Sequence, residues 1–265
     1  MSLTTLITFI KSHPNIVLVE VAETKGSTPR DSGTMMLVAP NALWGTIGGG
    51  HLEFMAIDHA RRSLQGEAVA DTLDVPLGPE IGQCCGGRTL LAFRIVDAAV
   101  AAELTQRLAE ERAAFPEVMV FGAGHVGLTL VRALAPLPLN ANLIDTRSEI
   151  DGDVPDGITF RRVAMPEAEV TKVKPGGAVV ILTHDHALDF LIAKEALART
   201  DLSYVGMIGS KTKRATFASF LERDGAERSA IERLTLPVGG SAVKDKRPAV
   251  IAAMVTAELL GALLP

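Results

Sequence analysis

The sequence predicts an α/β protein in two parts, a small N-terminal α+β domain followed by a doubly wound parallel-sheet domain, and three observations predict it. Short β-rich runs joined by glycine loops fill roughly the first 95 residues, the grammar of an α+β unit. From Glu117 onward strands alternate with helical stretches, the grammar of βαβ crossovers. At the first of these crossovers Gly122-Ala123-Gly124-His125-Val126-Gly127 joins a strand to a helix, which makes the second part Rossmann-like. With 265 residues and 48% hydrophobic content there is room for both cores. The expected division is a domain over 1–97, a helical connector over 98–116 and a second domain over 117–265.

After a short helix-like start, Ile16 to Val21 is rich in β-branched residues and reads as a strand. It runs into Glu23-Thr24-Lys25-Gly26-Ser27-Thr28-Pro29-Arg30, a polar turn punctuated by glycine and proline. A second strand, Thr34 to Val38, follows, and Leu43-Trp44-Gly45-Thr46-Ile47 then leads into Gly48-Gly49-Gly50. Three consecutive glycines weaken any strand, so they belong in a loop where backbone approaches something closely. His51-Leu52-Glu53 opens a helix with Leu52, Met55, Ala56 and Ala60 at helical spacing, running to about Leu64. A glycine loop feeding a helix N-terminus is an anion site in outline, because the loop N–H groups and the helix dipole point the same way. Gly49 and Gly50 are therefore candidate ligand contacts, set against ordinary first-turn chemistry for His51 and Glu53.

Val69 to Val75 and Arg88 to Val96 read as two more strands, and between them lies Gly82-Gln83-Cys84-Cys85-Gly86-Gly87, which holds both cysteines of the chain. Consecutive Cα atoms lie about 3.8 Å apart, below the usual ~4.4–6.8 Å of a disulfide. A Cys84–Cys85 bridge would thus be strained. Flanking glycines let successive N–H groups turn toward an anion and lower a thiol pKa. That makes Cys84, Cys85 and Gly86 a candidate site for a soft metal, a sulfur transfer or an anionic ligand, the competing reading being two buried small hydrophobes.

Asp97 to Phe115 has helical composition and Pro116 ends it. Glu117 to Phe121 is the first strand of the second part, the glycine turn follows, Leu128 to Leu134 continues as a helix, and Asn140 to Ile144 is the next strand, closing on Asp145. Strand, glycine turn, helix, strand and acid form the dinucleotide fingerprint in context, with Gly122, Gly124, Gly127 and Asp145 as its contacts. Against it stands a unit that keeps the glycines for packing alone. Ala178 to Leu182 is a further apolar strand, with Thr183-His184-Asp185-His186 past its end and a helix over Ala187 to Arg199. Tyr204 to Lys211 is another strand edge turning into a helix; it is not a P-loop, and Ser210 with Lys211 is either a second phosphate-sized contact or a plain turn. Pro248 suits the first turn of the final apolar helix.

A balance of 26 basic to 31 acidic residues, net −5, leaves no electrostatic footprint for nucleic acid. Met1 to Ile10 lacks the pattern of a signal peptide, and Ile251 to Leu264, interrupted by Glu258, is too short to span a bilayer. A cytoplasmic location and no membrane association are expected.

With these motifs assembled, the chain resembles the xanthine dehydrogenase accessory proteins, the XdhC/CoxI family. The resemblance rests on the segments 23–30, 45–53, 82–87, 121–127, 183–186 and 206–211 and on Lys246-Arg247-Pro248, in the family's order. It implies a two-domain protein that binds molybdenum cofactor (molybdopterin) and protects it while a cysteine desulfurase installs the terminal sulfido ligand. The same resemblance implies delivery to the molybdenum subunit of apo xanthine dehydrogenase, with Cys84 and Cys85 as cofactor and metal contacts. Some branches carry Cys where His51 stands, so position 51 is not assigned as a ligand. Thiolate is a fitting soft donor for a sulfur-rich molybdenum centre, and a glycine-lined anion pocket suits the cofactor's phosphate. A homo-oligomer is expected, as is a carrier rather than an enzyme, with NAD(P) or another nucleotide in the second domain. The main alternative is an NAD(P)-dependent oxidoreductase built on Gly122, Gly124, Gly127 and Asp145; it lacks an evident catalytic group beyond His125 or His184. A redox sensor using the two thiols is the third reading.

Overall fold

The computed structural model describes residues 3–48, 50–78, 86–150, 152–225 and 228–264. The chain divides into two units, Met1–Glu111 and Arg112–Pro265. Unit 1 runs α1 (Leu3–Ser12), β1 (Val17–Lys25), β2 (Met35–Val38), β3 (Leu43–Gly45), α2 (His51–Leu64), β4 (Thr72–Pro76) and β5 (Arg88–Ile95), and α3 (Ala98–Ala114) carries the division. Its five strands pair antiparallel in the order β3-β2-β1-β5-β4. One face packs Val17, Val19 and Val21 under Leu52, Ala56 and Ala60 of α2. The other packs Leu18 and Leu37 against Leu6 and Phe9 of α1 and Leu104 and Leu108 of α3. Burial on both faces explains why β1 and β2 open as continuous apolar runs rather than alternating ones.

The first strand is longer than the sequence suggests. β1 continues past Val21 to Lys25, because its ladder with β5 resumes beyond a bulge as Glu23↔Leu90, Thr24↔Thr89 and Lys25↔Arg88. Polar side chains there face outward while the backbone stays paired, so composition reads as a turn what the ladder holds as strand.

Unit 2 runs β6 (Glu117–Phe121), α4 (His125–Leu134), β7 (Asn140–Asp145), β8 (Thr159–Arg162), α5 (Pro166–Glu169), β9 (Ala178–Ile181), α6 (His186–Ala198), β10 (Tyr204–Met207), α7 (Lys211–Arg223), β11 (Leu234–Thr235) and α8 (Pro248–Leu263). All six strands are parallel, in the order β11-β10-β9-β6-β7-β8. Counted within the unit this is the 3-2-1-4-5-6 order of the Rossmann fold. The chain steps outward from β6 to β8, then returns to the other side of β6 with β9, so the direction of winding reverses between β6 and β9.

Helices α4 and α8 cover one face over Val118, Val120 and Val180. On the opposite face α6 and α7 cover Met119, Phe121 and Val179. β9 and β10 are buried throughout, which fits their unbroken apolar sequences. The one charge inside the apolar α8 has partners: Glu258 accepts the Tyr204 hydroxyl at 2.7 Å and the Gly239 N–H at 3.0 Å. Among the described residues no helix is long and apolar enough to cross a membrane.

Candidate functional site

In unit 1 the β1–β5 pairing brings three glycine-bearing segments to one end of the sheet. Gly87 lies against Ser27, where a Cβ would sit 2.1 Å from the Ser27 carbonyl oxygen and 2.8 Å from that of Lys25. No side chain fits there, and the packing continues as a parallel bridge between Ser27 and Gly86. Gly48, at φ +97°, is pressed against Pro29 and Arg30, where a Cβ would meet the Arg30 Cγ at 2.9 Å. Its N–H bonds the Thr46 hydroxyl at 3.1 Å. Lys25 to Arg30 therefore meets both Thr46 to Gly48 and Gly86 to Arg88, although some 60 residues separate it from the latter.

Two hydrogen bonds close the base of the third segment, Leu77 N–H to the Gly87 carbonyl at 2.8 Å and Gly86 N–H to the Leu77 carbonyl at 2.9 Å. Cys84, Cys85 and Gly49 lie outside the described residues. Gly50 is the N-cap of α2, which has no side-chain cap there, so the first turn keeps N–H donors for an anion or for Glu53. His51 and Phe54 of that turn are exposed, Phe54 at 71%. Thr89 was not singled out by sequence reasoning: it is 2% exposed and its hydroxyl has no hydrogen-bond partner. The available signal was a polar residue on the inward face that Leu91 and Phe93 continue. Among the described residues no group of three or more His, Cys, Asp and Glu is gathered as metal donors.

The second candidate site is the carboxyl end of β6, β7 and β9 in unit 2, the switch point where ligands of open α/β sheets bind. The three fingerprint glycines have three different surroundings. Gly122, at φ +107°, leaves β6 so close to β9 that a Cβ would lie 2.5 Å from the Leu182 carbonyl oxygen. Gly127 packs α4 onto the turn, a Cβ there lying 1.9 Å from the Gly122 carbonyl oxygen. A Cβ built on Gly124 would meet nothing within 4 Å beyond its chain neighbours and its own helix. Gly124 is the N-cap of α4, again without a side-chain cap, so open space and helix donors coincide where a pyrophosphate approaches in this fold.

Asp145 is at the expected place, but its carboxylate is engaged within the protein. Oδ2 accepts the Ala123 N–H at 2.6 Å and Arg147 Nη2 at 2.9 Å; Oδ1 accepts the Arg147 N–H at 2.9 Å and Nε at 3.1 Å. Burial pushes its pKa up, while the Arg147 side chain, the Arg147 and Ala123 N–H groups and the Arg147 charge pull it down further, to about 2. A cleft of about 10 Å³, room for roughly one water, opens among Gly122, Ile144, Asp145, Thr183, His184 and Leu188.

Behind Thr183 lies a buried charged network that sequence reasoning missed. Lys213 donates to Asp189 Oδ2 and, at 2.9 Å, to the Ile208 carbonyl, while Thr183 donates to Asp189 Oδ1 at 2.6 Å. Asp189 is fully buried and Lys213 nearly so. Ser210 caps α7 by accepting the Lys213 N–H at 3.3 Å, and Lys211 is exposed beside it. A larger hollow of about 620 Å³ on α6 and α7 contains none of the motif residues. Its Lys194 and Asp224 form an ion pair, and Arg233 is bonded to the Leu197 and Arg199 carbonyls.

Comparison with known proteins covers both units. The family model described as the XdhC Rossmann domain matches residues 118–259. The model of the XdhC and CoxI family matches residues 10–75. The chain is 25% identical over 255 residues to the uncharacterised protein YqeB of Escherichia coli (strain K12), covering 92% of this chain and 42% of that one. It thus spans less than half the length of that relative. A solved structure described as a xanthine dehydrogenase from Bacillus halodurans superposes with a TM-score of 0.79 at 19% identity, covering 98% of this chain and 95% of that one. At that identity the likeness is one of fold.

Proposed function

This chain belongs to the XdhC and CoxI family, and on that premise we propose that it is an accessory protein of xanthine dehydrogenase. In this reading it binds molybdenum cofactor and shelters it in the cytoplasm while a cysteine desulfurase installs the terminal sulfido ligand. It then hands the cofactor to the molybdenum subunit of the apo-enzyme. The observation that supports the reading most is the meeting of Lys25–Arg30 with Thr46–Gly48 and with Gly86–Arg88, next in sequence to the segment that holds both cysteines.

The described residues fit the phosphate-bearing end of such a cofactor. Closely packed glycines at 26, 48 and 87, an α2 N-terminus without a side-chain cap, and the exposed cations Lys25 and Arg30 are the chemistry of an anion cradle. The buried, unpartnered Thr89 hydroxyl adds a donor at the strand pair leading into that end. Cys84 and Cys85 would supply thiolates to the metal end, where soft donors belong. When bound, the cofactor brings its own redox centre, which works after delivery; the role of this chain is to hold, cover and release.

The test is reconstitution of apo xanthine dehydrogenase with a cofactor source and desulfurase, with and without this protein. The chain should raise the yield of active enzyme and retain molybdenum cofactor through gel filtration. A protein that does neither would refute the proposal.

A further inference from the structure

In a dinucleotide-binding βαβ unit the acid ending the second strand takes the adenosine ribose hydroxyl, whereas an arginine beside it accommodates a 2′-phosphate. Here the acid is covered by the arginine. The Asp145 side chain is 5% exposed and that of Arg147 40%, so the group presented at the rim of β7 is the guanidinium. Asp145 already accepts four hydrogen bonds, from Ala123 and Arg147. That leaves a ribose hydroxyl little to bond and fixes the direction of the Arg147 side chain.

A second guanidinium stands at the same rim. Arg162 is the register partner of Asp145 on β8, it is exposed, and its Nε donates to the Thr146 carbonyl at 3.3 Å. Its neighbour Arg161 is committed elsewhere, to the buried carboxylate of Glu169. The residue between Asp145 and Arg147 is thus flanked by two arginines, the side chains best suited to bidentate recognition of a phosphate. Gly124, whose side-chain position is open space, leaves the approach to the α4 N-terminus open for the pyrophosphate.

We infer that unit 2 binds a nicotinamide dinucleotide with a phosphate on its adenosine 2′-oxygen, NADP(H), in preference to NAD(H), with Arg147 and Arg162 contacting that phosphate. This rests on unit 2 alone. It can fail while the cofactor reading of unit 1 stands, and the reverse holds as well.

The experiment is a titration of the full chain with NADPH, NADH and adenosine 2′,5′-bisphosphate, followed by fluorescence and calorimetry. Wild type should bind NADPH about tenfold or more tighter than NADH, with the bisphosphate competing, since a charge-assisted fork is lost with the phosphate. Arg147→Ala should weaken NADPH about tenfold and leave NADH unchanged or tighter, because it frees the Asp145 carboxylate for the ribose. Arg162→Ala, which leaves Asp145 covered, should weaken NADPH alone, so a poorly folded Arg147→Ala protein does not end the test. Equal affinity for the two dinucleotides in wild type, binding of neither at millimolar concentration, or parallel losses in Arg162→Ala would each overturn the inference.

Discussion

Adding one methyl group at two glycines of the same turn should have opposite consequences. At Gly127 the new Cβ would lie 1.9 Å from the Gly122 carbonyl oxygen, against an ordinary contact of 3.4–4 Å. That carbonyl cannot swing aside freely, since the Gly122 N–H is bonded to Ile144 at 2.8 Å and its Cα lies against Leu182. Helix α4 must instead lift from β6. Overpacking of this kind reaches about 3 kcal/mol, and the helix propensity of alanine over glycine returns about 1 kcal/mol. A net loss of about 2 kcal/mol, at roughly 2–4 °C per kcal/mol, lowers the melting temperature of unit 2 by about 4–8 °C. At Gly124 the new Cβ would meet nothing within 4 Å and φ is −82°, so alanine meets no clash. Its cost is the N-cap preference alone, about 0.5–1 kcal/mol. Yet the methyl would stand where the pyrophosphate approaches, so Gly124→Ala should lose NADPH binding while staying folded. Calorimetric melting of both variants with a NADPH titration checks this. Equal melting temperatures for the two, or full NADPH binding by Gly124→Ala, would refute the reasoning.

Three further outcomes are expected. The Asp145 pKa is lowered from 3.8 to about 2, so its contribution of about 2 kcal/mol is present above about pH 4 and lost as pH falls through about 2. The stability difference between wild type and Asp145→Asn in urea should shrink by about 1 kcal/mol between pH 6 and pH 3. Asp189→Ala leaves the buried Lys213 uncompensated and should cost about 3–5 kcal/mol, whereas Asp189→Leu combined with Lys213→Met should recover most of it in denaturant melts. Glu258→Ala removes the acceptor of both the Tyr204 hydroxyl and the Gly239 N–H. At about 1–3 kcal/mol for each buried donor, unit 2 should unfold at clearly lower urea, and Tyr204→Phe added to it should cost little more.

What the sequence reveals and what it hides divide along physical lines. β6, β9 and β10 are legible because burial on both faces leaves short, nearly unbroken apolar runs, and the fingerprint turn and β7 because glycine spacing and the closing Asp145 mark them. The missed strands, β8 and β11, are the two edges of the sheet: one carries two arginines, the other is two residues long. β1 reads short because a bulge and outward polar side chains disguise Glu23 to Lys25. In unit 1 the meeting of Gly48 with Arg30 and of Gly87 with Ser27 depends on strand register, which composition does not encode. Asp145 could be placed by spacing, but its engagement by Ala123 and Arg147 is a matter of side-chain geometry. The same is true of Asp189 and Lys213, which sequence alone places on two separate helices with nothing to pair them.

The central claim is that the two thiols hold the molybdenum end of the cofactor. It is tested by the molybdenum content and visible spectrum of wild type, Cys84→Ser, Cys85→Ser and the double variant, after incubation with molybdenum cofactor and gel filtration. A hydroxyl preserves size but cannot replace a thiolate toward a sulfur-ligated metal. At least one single variant should therefore retain far less molybdenum than wild type at an unchanged melting temperature, and the double variant should retain none. Wild-type molybdenum content in a folded double variant would contradict the account.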